Sequence, residues 1–179
     1  TAAGEYADIK SPSTQCLMYS QNGGHSWNKY ENNPVIPAIA SGSRDPAVIW
    51  HPVTHHWIMA LYIGKKKFKK KNVKYDQHFA IFKSKNLKSW EKVQDLFFPG
   101  MGECGEVFPL PLDQDINQIM WVFWTADGHH LIGNFDGNEF IPKTEMLKSS
   151  YSAVYLRQTS GVNFNGGYAA QTWNDIPPE

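Results

Sequence analysis

The sequence predicts an all-β chain forming part of a propeller, on three observations. Helical periodicity is nearly absent, and short β-rich runs recur between Gly, Pro, Asn and Asp clusters. Two runs, "WIMALYI" and "IMWVFWT", are continuously apolar, as expected of strands covered on both faces. A turn motif also repeats: "SQNGGHSWNK" (20–29) and "SKNLKSWEK" (84–92) share the pattern Ser-x-Asn-…-Ser-Trp-x-Lys. A weaker third copy is "GNFDGNEF" (133–140), with Asp136-Gly137 at the turn and Phe140 in the Trp place. Units of roughly 50–60 residues with about four strands each fit propeller blades, and about three units are present.

The elements follow in order. "CLMYS" (16–20) leads into the first repeat turn. "AVIWH" (47–51) is β-branched and aromatic, and Pro46 before it predicts an extended backbone at Asp45. "HWIMALYIG" (56–64) and "HFAIFKS" (78–84) are two further strands of that unit, and the second repeat turn follows. "VFPLPL" (107–112) is a further β-rich run, "IMWVFWT" (119–125) is continuously apolar, and "HLIGNF" (130–135) runs into the third turn. "YSAVYL" (151–156) is the last of these β-rich runs. Of the tryptophans, Trp27, Trp90, Trp121 and Trp124 are expected to pack between blades.

Acidic and basic residues balance at 17 each over 179 residues, so no global field favours nucleic acid or a membrane surface. Seven of the bases lie in "KKKFKKKNVK" (65–74), which leaves the remainder at net −7. Between two strands, that run reads as a solvated hairpin tip, and its lone Phe68 provides no stacking platform. No apolar run approaches the ~18 residues of a membrane span. Cys16 and Cys104 are too few for a disulfide framework and lack metal-ligand spacing. No metal or cofactor is expected. The start "TAAGEYADIK" carries neither a methionine nor a signal pattern, and "AAQTWNDIPPE" stops just after a strand begins; a piece of a larger protein is expected.

Blades place the starts of their innermost strands around a central channel. "SRDPAVIW" (43–50), "GMGECGEVFPLPL" (100–112) and "GGYAAQTWND" (166–175) occupy that place in successive units, which brings Asp45, Glu103 and Tyr168 around one pocket. Two carboxyls across an aromatic-rich pocket suit glycosidic-bond cleavage. On the residues alone, Asp45 beside Arg44 fits the ionised role, and Glu103 in a Gly-rich, apolar setting fits a protonated acid with a raised pKa. Glu106 competes for that acid role.

Those three blocks, in that order, resemble glycoside hydrolase family 32, the β-fructofuranosidases. "TQCLMYSQNGGHSWNKYENNPVI" likewise resembles the segment preceding the Arg-Asp-Pro motif in that family. The resemblance implies a five-bladed propeller with its active site in an axial funnel and a retaining mechanism. It assigns Glu103 of Glu-Cys as general acid/base, Asp45 of Arg-Asp-Pro as transition-state stabiliser rather than nucleophile, and Arg44 as a ring-binding neighbour. Residues 1–179 then form a partial catalytic propeller. The family's nucleophile sits in an Asn-Asp-Pro-type block of the first blade, and no such block occurs here; its C-terminal β-sandwich is absent too. The expected partner is a carbohydrate, sucrose or a fructan, held by Arg44, Asp45, Glu103 and Tyr168. Missing blades or another chain are needed to close the ring, and the fragment alone is expected to be inactive. Two alternatives stay open: a non-catalytic fructosyl-binding module, and a five-bladed furanosidase acting on arabinose or xylose chains. Cys104 is expected to be a small residue orienting the Glu103 turn. His51, His55 and His56 read as turn solvation around Pro52, and the Gly-Gly pairs at 23–24 and 166–167 as turn chemistry.

Overall fold

The computed structural model describes residues 13–40, 42–64, 77–98, 102–149, 156–157, 163–164 and 168–173. The lysine run and Gly166–Gly167 lie outside them. All regular elements among the described residues are strands. The hairpin β1 (Met18–Tyr19) and β2 (Asn28–Lys29) comes first. A four-stranded antiparallel meander follows: β3 (Ser43–His51), β4 (His56–Ile63), β5 (His78–Ser84) and β6 (Glu91–Leu96). A second meander repeats the order: β7 (Glu106–Leu112), β8 (Asp115–Trp124), β9 (His129–Phe135) and β10 (Phe140–Pro142), with β11 (Leu147–Lys148) also pairing with β9. A hairpin of β12 (Leu156–Arg157) and β13 (Asn163–Phe164) comes last. Two sheets with the same meander, packed face to face in sequence order, are two blades of a partial propeller.

The continuous apolar runs behave as their sequence requires. Along β4, Ile58, Ala60 and Tyr62 share one core with Phe79 and Ile81 of β5 and with Trp121, Phe123, Leu131 and Phe140 of the second sheet. Met59, Leu61 and Ile63 point the other way, into a second cluster with Ile36, Ala80 and Phe82. A strand that alternates between two cores has no solvent face to make polar.

The repeat is a local hydrogen-bond device that closes three outer hairpins. Ser20 Oγ accepts from the amide of Gly24 at 2.9 Å, Asn22 Oδ1 accepts from that of Ser26 at 2.9 Å, and Trp27 Nε1 donates to Gly24 O at 3.0 Å. The shorter second copy reproduces the set: Ser84 Oγ accepts from Leu87 N, Asn86 Oδ1 from Ser89 N, both at 2.9 Å, and Trp90 Nε1 donates to Leu87 O at 3.0 Å. In the third, Asp136 Oδ1 accepts from Asn138 N at 2.7 Å and Glu139 N at 2.8 Å. Gln94 of β6 then joins the two sheets. Its side-chain amide donates to Phe140 O at 3.0 Å and accepts from Phe140 N at 2.8 Å, acting as one rung of a strand.

Three expectations are corrected. Asp45 is not extended; it has φ 55°, within a bulge where the β3–β4 register shifts between Arg44 and Ala47. The extra residue is accommodated by a left-handed turn, which Asp tolerates better than most side chains. His51 is not solvated: it is buried, stacks on Trp121 with ring centroids 5.1 Å apart, and its Nδ1 meets Thr54 Oγ1 at 2.9 Å. Trp27 does not pack between described blades, being 59% exposed, whereas Trp90 lies against the second core and Trp121 within the first.

Candidate active site

Arg44 is the fixed point of the site, and the sequence prepares its place. It opens β3 directly opposite Tyr62 of β4, and its guanidinium carbon sits 4.6 Å from the Tyr62 ring centroid, a cation–π contact. Tyr62 is itself held, its hydroxyl donating to Gln77 Oε1 at 2.9 Å. Arg44 Nη1 donates to Gly42 O at 3.3 Å. Gly64 backs onto that segment: a Cβ there would meet Gly42 O at 2.9 Å and Arg44 Nη1 at 3.2 Å, so only glycine leaves the guanidinium this room.

From there Arg44 spans the two sheets. Its Nε donates to Glu103 Oε2 at 2.9 Å, and Nη2 donates to the same oxygen. Asp45 Oδ2 lies 3.3 Å from the same Arg44 Nε. The other Glu103 oxygen, Oε1, accepts from the Tyr168 hydroxyl. The three units thus converge as expected on Arg44, Asp45, Glu103 and Tyr168. Cys104 completes the group, close enough to Asp45 and Glu103 to feel the charge of both carboxylates. Asp45 and Cys104, which face each other, both have left-handed backbones, at φ 55° and 53°. Non-glycine residues hold such conformations only where their surroundings fix them, and such sites cluster at functional centres.

The electrostatics of Glu103 differ from the expected apolar setting. The Tyr168 hydrogen bond holds its carboxyl below the usual carboxylate range; partial burial opposes this, and the bonds and charge of Arg44 reinforce it. The physical reason is reach: the guanidinium crosses the sheet seam and pairs more closely with Glu103 than with its sequence neighbour Asp45. Tyr168 responds in the opposite sense, its hydroxyl held above the ordinary phenol value by Glu103. Burial, together with the charges of Asp45 and Glu103, pushes the Cys104 thiol up to about 11. Cys104 therefore stays a thiol near neutrality.

Sequence reasoning did not find the supports beneath these groups. The Glu103 carbonyl accepts from Ala126 N at 2.8 Å, and Ala126 O accepts from Ala169 N at 2.9 Å, so one fully buried residue braces both loops. The turn after β8 is locked by Asp127, which accepts from Thr125 Oγ1 at 2.8 Å and meets His129 Nδ1 at 2.6 Å. Glu106 does not point at the Arg44 cluster. It is 7% exposed and receives Thr172 N at 2.9 Å and Thr172 Oγ1 at 2.5 Å. "TADGHH" (125–130) offered the only sequence signal for the brace, as a polar turn ending a buried strand.

Comparison with known proteins follows this geometry. The family model of the glycosyl hydrolases family 32 N-terminal domain matches residues 3–178. A levanase of Bacillus subtilis is 31% identical over 95% of the chain and 24% of its own length. An invertase of Debaryomyces hansenii is 32% identical over 93% and 30%. Among solved structures, the fructofuranosidase of Schwanniomyces occidentalis in complex with fructose superposes with a TM-score of 0.68 at 25% identity, over 92% of this chain and 31% of that one. The chain thus spans about a quarter to a third of the length of these relatives. With the match running over nearly all of its residues, the chain belongs to the glycosyl hydrolases family 32 N-terminal domain.

Proposed function

We propose that this chain supplies the acid/base half of a retaining β-fructofuranosidase acting on sucrose or a fructan. The observation that carries the reading is Glu103 held between Arg44 of one sheet and Tyr168 of a later unit, with Asp45 on the same rim. In this reading Glu103 protonates the departing glycosidic oxygen, then takes the proton of the water that hydrolyses the glycosyl-enzyme. Asp45 accepts hydrogen bonds from fructosyl hydroxyls as charge develops on the ring, and Arg44 and Tyr168 orient the acid/base and the sugar. The nucleophile comes from an Asn-Asp-Pro-type block outside this sequence. Its carboxylate must stand ~5–5.5 Å from Glu103, so the chain alone is inactive and needs further blades or another chain to close the ring. A first blade and a C-terminal β-sandwich complete the catalytic unit. The names of the relatives, levanase and invertase among them, support the substrate class.

The test is sugar release from sucrose, inulin, levan and arabinan by the full-length protein that carries this chain. Glu103→Gln is expected to lose about 10²–10⁴-fold in kcat. Undiminished release by Glu103→Gln, or release from arabinan alone, would overturn the reading. A second reading is favoured by one observation: Glu103 is held ionised, which suits the isolated chain to bind a fructosyl unit without cleaving it. Fructose binding by the 179-residue chain, weakened in Asp45→Asn, would show it.

A further inference from the structure

We infer that Glu106 is a positioning residue for the acid/base, acting through Thr172 and Tyr168. The inference rests on the reading of Glu103 as the acid/base. Segment 168–173 carries the hydroxyl that bonds Glu103, yet packing holds it poorly. Tyr168 is 47% exposed and Trp173 88% exposed. A cavity of about 200 Å³, lined by Glu106, Phe108, Trp124 and residues 170–172, lies between the segment and the second sheet. Hydrogen bonds anchor it, among them Ala169 N to Ala126 O at 2.9 Å and both groups of Thr172 to the two oxygens of Glu106.

Glu106 suits this task and little else. Its carboxylate is buried on the first residue of β7, and a buried carboxylate must be met by donors. Thr172 provides two, an amide and a hydroxyl, which fix both the position and the rotation of that backbone. Four residues earlier in the same segment, Tyr168 reaches Glu103 Oε1. Glu103 and Glu106 are three residues apart, so the segment is pinned at both ends to one short stretch of chain. A change in the Glu106 bonds moves Tyr168 relative to Glu103.

The sign of one titration separates this role from a charge effect. A neighbouring anion raises the pKa of a carboxyl, so removing its charge lowers that pKa. Loss of a hydrogen bond to the charged form raises it. The experiment follows the side-chain carboxyl carbon of Glu103 by NMR in the 179-residue chain labelled with ¹³C-glutamate, its signal assigned with Glu103→Gln. Tyr168→Phe is expected to move the Glu103 midpoint up by about one pH unit, since two or three such bonds account for more than about two units. Glu106→Gln is expected to move it in the same direction, and the double variant no further than Tyr168→Phe alone. Thr172→Val removes one of the two donors at a partly exposed position and is expected to give a smaller rise, which keeps the test open if Glu106→Gln unfolds. A midpoint that falls or stays put in Glu106→Gln, with an unchanged melting curve, would overturn the inference. So would an unchanged midpoint in Tyr168→Phe or Thr172→Val. The titration needs no turnover: if the full-length protein releases no fructose, the acid/base reading fails while this positional result stands.

Discussion

Gly105 to alanine is the single change that joins the core to the site most directly. Gly105 lies between Glu103 and Glu106, and a Cβ there would sit 2.6 Å and 2.7 Å from Phe79 Cδ1 and Cζ, and closer still to Cε1. The ring must retreat by at least about 0.8 Å to bring Cδ1 to ordinary contact at 3.4 Å, and further to clear Cε1. Phe79 has no empty side to move into. It is 1% exposed and set edge-on against Phe123 at 5.1 Å and Tyr62 at 5.5 Å. Overpacking of this kind costs about 1–3 kcal/mol. For a chain of this size that corresponds to a fall in melting temperature of about 2–12 °C. Because Tyr62 carries the Arg44 guanidinium, the displacement also reaches the ion pair with Glu103. The assay is thermal unfolding followed by tryptophan fluorescence, with the double variant Gly105→Ala/Phe79→Leu as the internal check. The smaller leucine makes room, so the double variant is expected to be more stable than the summed single effects by about 0.5–3 kcal/mol. A Gly105→Ala protein that melts with the wild type, or a strictly additive double variant, would refute the close-contact argument.

Three further outcomes are expected. Gln94→Ala strands the amide and carbonyl of Phe140 at the seam between the sheets and is expected to cost about 1–3 kcal/mol for each group left unpaired; a urea midpoint equal to wild type would contradict it. Cys16 is exposed and Cys104 is held as a thiol, so a thiol reagent near neutral pH is expected to label one cysteine quickly in the folded chain and both in urea; rapid labelling of two in the folded state would argue against a Cys104 thiol held protonated by its surroundings. Glu103 has a folded pKa below its unfolded one, so the stability it adds is present above the unfolded value and disappears as pH falls through the folded value. The melting-temperature gap between wild type and Glu103→Gln is therefore expected to narrow below about pH 4.3, and a gap constant down to about pH 3 would exclude that linkage.

What could be read from the sequence was what is local. The repeat turns are made of side chains bonding backbone groups two to four residues away, so their Ser, Asn and Trp spacing carried the geometry, even in the third copy where Phe140 replaces Trp. The unbroken apolar run of β4 announced a strand buried on both faces, and its residues divide between two cores. Convergence of Arg44, Asp45, Glu103 and Tyr168 followed from placing each at the start of an inner strand. Non-local facts stayed hidden. The bulge that turns Asp45 is set by pairing with β4, whereas Pro46 alone argued for extension. His51 looked like a turn residue because its stacking partner Trp121 is seventy residues away. Arg44 was assigned to its neighbour Asp45, and nothing within either segment reveals the bond to Glu103. Tyr62 was masked by the apolar run that contains it.

The site's chemistry is a property of how many units are present around it. Among the described residues the hydrogen-bond partners of the Glu103 carboxyl are donors: Arg44 Nε and Nη2 on one oxygen, the Tyr168 hydroxyl on the other. Donors and a cation stabilise the ionised form, which is the form a general base needs and a general acid cannot use. A retaining glycosidase needs the acid first. In the proposed enzyme the nucleophile carboxylate at ~5–5.5 Å adds a negative charge that Arg44 does not already pair, while narrowing access to water. Both effects raise the Glu103 pKa. If the function is as proposed, the Glu103 midpoint must therefore be higher in the full-length protein than in the 179-residue chain, and replacing the nucleophile aspartate by asparagine must remove most of the difference. Equal midpoints in the two proteins would mean that the acid is made some other way, and that the donor set around Glu103 is the whole of its electrostatic environment.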